Sequence, residues 1–441
     1  MAVFRLFDKI KRFFINDNDS FWLFLMLSFA CLGTTITIFG GDLDGRNLSS
    51  PFFYSTFIII LFWFISRVVF SIKKRTTSDF LILSILASAF LIAIFNILIN
   101  IIIIKPSLHD FSFNYFKKII ITFSVLIFIY LNSYGKFNAI LKKAFPVIAI
   151  IITIEIAISF FAGIGQIYAN QTAKNLLYFT FGNSNAAGIN FSIIILLHVY
   201  GIFSWKKWYF KIAHIVPMIF LFYLLYLTRA RNALFALLLC FVAFLVFKGV
   251  SFKNSKTMEV VAILLMILFP ILVSSFYTIL ATRTNALDII NYLFATPGKT
   301  ITSRTITWVS AFKHLNGIHI LIGDYHSSTI AAYKLFQTLP GYQNSQIDFF
   351  VDEGLVPALL ILSFLFICLY HRYKTINKNK IVSFLPVVFW LFTIFSSTFE
   401  VGLFICMNIW YIFGFSMMSL GDFSKEGLVV QYEQLYYDLE I

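Results

Sequence analysis

A run of roughly 20 residues with hardly a charge must be buried, either in a protein core or in lipid. This chain has twelve such runs, at 21–40, 52–72, 80–104, 119–134, 145–166, 186–203, 212–228, 232–247, 258–281, 354–370, 382–399 and 402–419. At 1.5 Å per residue, each is about long enough as a helix to cross the hydrocarbon layer. No soluble core holds so many apolar helices, because it lacks enough polar surface to cover them. The charged share is 12%, about half that of an ordinary soluble domain. The expected fold class is an all-α polytopic membrane protein.

Charge placement predicts the orientation. With the N-terminus inside and the runs alternating, the inner segments hold 21 Lys and Arg and the outer ones 12, with Arg67 within a run. Short basic loops stay on the cytoplasmic side, so both termini are expected there. The net charge of +14 is spread over these loops. It therefore reads as an orientation signal rather than a nucleic-acid footprint.

The expected layout begins with a basic amphipathic segment at 1–20, on the cytoplasmic surface and without a cleavage pattern. Nine spans fill 21–281, an extracytoplasmic loop with short helices occupies 282–350, and three spans fill 351–419. An acidic tail at 420–441 returns to the cytoplasm. Cys31, Cys240, Cys368 and Cys406 all lie inside apolar runs and read as small buried hydrophobes. No metal-ligand spacing, Gly-rich phosphate loop or Asp-rich nucleotide motif is present, and no cofactor is expected.

The remaining polar residues are the candidates for chemistry. Arg229 and Arg231, in LYLTRARNALFALLL, lie between two runs on the outer side, against the orientation rule. They either snorkel to headgroups or bind an anion such as a diphosphate, whose oxygens a guanidinium fork matches. Two apart on a helix, they are expected not to share a face. In the long loop, a helix is expected over about 303–316, with Arg304 and Trp308 on one face and Asn316-Gly317 ending it. Asn185, in the polar turn FGNSNAAGIN, either caps a helix or lines a polar cavity.

Asp348, Asp352 and Glu353 are expected in the first turns of a helix, where its dipole favours them. One of them, or one of His314, His319 and His326, is a candidate general base. Glu155 lies mid-span and must face the interior, with Arg67 as a candidate partner.

In order and membrane position these segments resemble the O-antigen ligase and O-antigen polymerase superfamily of bacterial membrane glycosyltransferases. FGNSNAAG is similar to that family's Asn turn before a span. TRARNALFALLL is similar to its Ser-Arg-Gly-Ala helix start, with Arg231 on the motif arginine. SRTITWVSAFKHLNGIHILIGD resembles its Arg-x3-Trp helix and glycine turn, with Arg304 and Gly323 on the motif positions. QNSQIDFFVDEGLVPALL resembles its His-Asn-Ser segment and acidic Gly-Leu span start, but Gln343 stands where the family often has a histidine. That histidine is taken as catalytic in the ligase branch, so the polymerase branch fits better.

The resemblance implies polymerisation of undecaprenyl-diphosphate-linked repeat units into O-antigen, capsule or exopolysaccharide, on the outer face of the bacterial inner membrane. It implies catalytic roles for Arg231 and Arg304, and it leaves the general base unassigned, with Asp348 and His326 as the candidates. It implies substrate contacts from Arg229, Asn185, Trp308, Gln343 and Asn344. Lipid-linked donor and acceptor are the implied partners, with a flippase and a chain-length regulator nearby. The alternatives are a ligase, which moves the glycan to another acceptor, or a flippase for the same lipid. A flippase would carry more charge inside its spans than Arg67 and Glu155.

Overall fold

The structure is a computed structural model. It describes residues 18–39, 45–70, 77–104, most of 119–130, 138–163, 168–171, 174–177, 184–252, parts of 257–272, 317–323, 345–374 and 381–396. The described part is almost entirely helical. In chain order its helices are α1 (Asn18–Phe39), α2 (Gly45–Phe70), α3 (Thr77–Ile104), α4 (Asn138–Ala162), α5 (Ser184–Ser204), α6 (Trp208–Thr228) and α7 (Arg231–Phe252). They continue with α8 (His319–Ile322), α9 (Ser345–Glu353), α10 (Leu355–Lys374) and α11 (Ile381–Ser396). Among the described residues, four helical stretches are long and apolar enough to cross a membrane: Phe21–Phe39, Ala144–Ala162, Asn185–Ser204 and Trp208–Thr228. Further helical residues lie within the runs expected at 119–134 and 258–281, while 1–17, 402–419 and the tail at 420–441 lie outside the described residues.

Helix α5 is the centre of the bundle. It packs against α4, α6, α7 and α11. Its residues from Ala187 to Leu197 are buried without a break, including Phe191, Ile193, Ile194 and Leu197. A helix apolar on every side has no solvent face to offer, so it is buried all round. Helix α6 differs. His214, Leu221, Leu224, Leu225 and Thr228 turn inward, while Val216, Ile219, Phe222 and Tyr226 are exposed. That unbroken outer apolar face suits contact with lipid chains.

Two features differ from expectation. A short antiparallel hairpin, β1 (Tyr168–Gln171) and β2 (Lys174–Leu177), stands in the connection between α4 and α5. It has no strong sequence signal, because four-residue strands carry little periodicity. The second concerns Asp352 and Glu353. Asp348 lies in the first turn of a separate helix, α9, as expected. Asp352 and Glu353 lie at its other end, since α9 ends at Glu353 and Gly354 (φ 88°) breaks the chain before α10. Asp352 and Glu353 are thus in the last turn of a helix, the end where its dipole disfavours a carboxylate. Gly354 is the physical reason, since it takes a left-handed conformation that a residue with a Cβ resists.

Candidate functional site

The first cluster forms where α6 gives way to α7. The helix does not run through TRAR. Thr228 ends α6 and its hydroxyl donates to the Leu225 carbonyl at 2.7 Å. Arg229 caps the helix in the left-handed region at φ 53°, with its N–H donating to the Tyr226 carbonyl at 3.1 Å. The Ala230 N–H donates to Thr228 Oγ1 at 3.3 Å. The Ala230 carbonyl then accepts the first N–H groups of α7, from Ala233 and Leu234. Arg229 and Arg231 are therefore not two positions on one helix, as the spacing suggested. One ends a helix and the other begins the next. Arg229 is the single described non-glycine residue with positive φ, and its side chain is exposed. Such a conformation costs about 1–2 kcal/mol for an L-residue, so surrounding contacts hold it in place.

The Asn turn meets this break. α5 begins at Ser184, so Asn185 sits half-buried in the first helical turn rather than in a loop. One turn on, Gly188 lies so close to Ala230 that an added Cβ would collide with the Ala230 side chain, and Leu225 and Thr228 flank the same spot. Two segments some 40 residues apart are thereby brought together: Asn185–Gly188 and Thr228–Arg231. The N-terminal ends of α5 and α7 meet there. Each carries the partial positive charge of a helix N-terminus, beside Arg229. A place built this way favours an anion.

The second cluster joins the end of the long loop to the start of α10. Gly317 turns the chain at φ 53° into the one-turn helix α8, where the glycine turn was expected. His319 closes that turn, its Nδ1–H donating to the Gly323 carbonyl at 3.0 Å. Gly323 (φ 83°) lies against the Asp352 backbone, and Gly354 against the Leu321 carbonyl. Asn96 of α3 donates to the Asp352 carbonyl at 2.9 Å. The two glycines interlock because neither has a Cβ to keep the backbones apart. Asp352 and Glu353 are 3% and 2% exposed, too enclosed to serve as a base for a substrate in water. Asp348 lies in the first turn of α9.

Arg304, Trp308, His314, His326, Gln343 and Asn344 lie outside the described residues. Glu155 faces α1, where the Thr35 hydroxyl is 3.0 and 3.2 Å from its two oxygens. Sequence reasoning named Arg67 as its candidate partner and missed Thr35, because a threonine in an apolar run carries no signal of its own. It also missed Asn96, and the buried pair His198 and His214.

The fold and site define a helical protein with membrane-length apolar helices and a cationic helix junction. No protein-family model matches the sequence, and no curated protein matches it.

Proposed function

We propose that this chain is a twelve-span bacterial inner-membrane glycosyltransferase that polymerises undecaprenyl-diphosphate-linked oligosaccharide repeat units. Its 282–350 loop and candidate site face outward. The observation that carries the reading is the packing of Asn185–Gly188 on Thr228–Arg231, with an exposed arginine at the meeting of two helix N-termini. Two of the four segments behind the family resemblance are neighbours there. The second pairing, Gly323 with Asp352 and Gly354 with Leu321, joins the other two.

The proposed reaction is a displacement at the anomeric carbon of the donor glycan. A hydroxyl of the acceptor repeat unit forms the new C–O bond as the bond to the diphosphate breaks. Undecaprenyl diphosphate leaves with the bonding pair, and the hydroxyl proton passes to Asp348 or His326. Arg231 and Arg304 bind the diphosphate and stabilise the charge that grows on it, and Arg229 and Asn185 hold its outer oxygens. Trp308, Gln343 and Asn344 contact the sugar. The lipid tail lies along the exposed apolar face of α6.

The test is replacement of Arg231 or Arg304 by Ala in the native host, with surface glycan resolved by gel. The expected result is single repeat units in place of long chains, at undiminished protein level. Long chains persisting in both variants would reject the reading. Complete loss of surface-attached glycan would indicate a ligase instead.

A further inference from the structure

Away from that junction, three helices bring polar side chains together inside the apolar core. Thr153 of α4, His198 of α5 and His214 of α6 are buried, both imidazoles at 0% exposure. Thr153 Oγ1 donates to the Ala149 carbonyl at 2.8 Å and lies 2.8 Å from His198 Nε2. His198 Nδ1 lies 3.0 Å from His214 Nδ1. The line of contacts stops at His214 Nε2, which has no hydrogen-bond partner among the described residues and presses against Gly201.

Donor accounting orders the protons. The one Thr153 proton is used on Ala149, so Thr153 Oγ1 accepts from His198 Nε2–H. A neutral His198 then has a bare Nδ1, which accepts from His214 Nδ1–H. A neutral His214 is left with a bare Nε2 lone pair. Reversing every bond would take the Thr153 proton away from Ala149 and leave an orphan N–H in place of the lone pair. That arrangement has one hydrogen bond fewer.

We infer that His198 and His214 form a binding site for a single proton, taken up at His214 Nε2. On one side the ring is packed tightly, since a methyl on Gly201 would collide with it. Once protonated, His214 donates Nδ1–H to His198 in a charge-assisted hydrogen bond. A second proton has no place. The last lone pair on His198 is the one held in the 3.0 Å contact, and a second cationic ring would stand 5.2 Å from the first.

The surroundings leave the pair to act alone. On α4, Glu155 is engaged with Thr35 of α1, and Lys142 and Lys143 stand near the helix start. Tyr200 follows on α5, and α6 carries Lys211, with Tyr209, Tyr223 and Tyr226 exposed. Helix α7 brings Arg231, Cys240 and Lys248, β2 brings Lys174, and α11 has no ionisable residue. The described hydrogen bonds of the two rings go to Thr153 and to each other. This site stands apart from glycosyl transfer and does not depend on it.

The experiment is solid-state NMR of the full chain in lipid bilayers, with 15N-labelled histidine. The Nδ1–Nδ1 hydrogen bond identifies the pair in the unmodified protein, so assignment does not rest on a variant that fails to fold. At about pH 8 the expected result is an Nε2–H ring bonded to an Nδ1–H ring. On acidification to about pH 4, one ring of the pair becomes doubly protonated while the other stays neutral. Two rings of the same tautomer, two imidazolium rings, or no uptake by either would overturn the inference. In Gly201→Ala, the displaced His214 ring should lose the Nδ1–Nδ1 signal and the one-proton limit with it. Persistence of that limit would also overturn the account.

Discussion

Arg229 holds a backbone conformation that glycine would adopt without cost, and it leaves a cation exposed at a helix end. Arg229→Gly is therefore expected to raise thermal stability by up to about 1 kcal/mol. On the proposed reading it also shortens the glycan chains. Thermal unfolding in detergent, read beside a glycan gel, separates the two effects. A stabilised variant with unchanged chains would leave Arg229 without a part in substrate binding. The Thr35–Glu155 contact gives a second expectation at this scale. Thr35→Val leaves the half-buried carboxylate without its described partner and should destabilise by about 1–3 kcal/mol. Glu155→Gln, which still accepts from Thr35, should cost less. Equal losses in the two variants would refute this pairing as the reason for the carboxylate at mid-span.

At the scale of elements, glycines decide which helices touch. Gly188 lets α5 approach Ala230, and Gly354 lets the break before α10 lie on Leu321. Gly188→Leu should separate α5 from the α6–α7 junction, costing about 1–3 kcal/mol by overpacking. Gly354→Ala meets both the Leu321 carbonyl and an unfavourable φ, and should cost at least as much. Unfolding midpoints within error of the parent would overturn this account of the close approaches. The helices themselves were legible, because hydrophobic runs mark α1, α5, α6 and α10 to within a few residues. The runs at 212–228 and 232–247 also marked the break that holds Arg229. The short helix α9 was not legible, because a helix of so few residues at the edge of a long apolar run carries little periodicity of its own. Hence Asp352 and Glu353 were assigned to the wrong helix end.

For the whole molecule, the proposed twelve-span arrangement makes a direct prediction about sidedness. In a background free of the native cysteines, Lys206→Cys should resist a membrane-impermeant thiol reagent in intact cells and react once the membrane is opened. Thr296→Cys should react in both. The reverse pattern would invert the orientation and put the candidate site on the cytoplasmic face.

The apolar runs alone dictated helices of membrane length, since lipid or core burial demands that backbone hydrogen bonds close within each segment. The spacing of basic loops dictated an expected sidedness in the same local way. Neighbourhood was beyond the reach of such patterns. That His198 meets His214 rests on the short turn between α5 and α6. Six residues separate His198 from Ser204, and six separate Trp208 from His214, so both rings come to one depth. That Thr153 joins them, that Thr35 meets Glu155, and that Asn185 sits beside the arginine break were decided by packing between helices distant in sequence. Such contacts depend on which faces meet and how closely backbones approach, and only the folded bundle sets those.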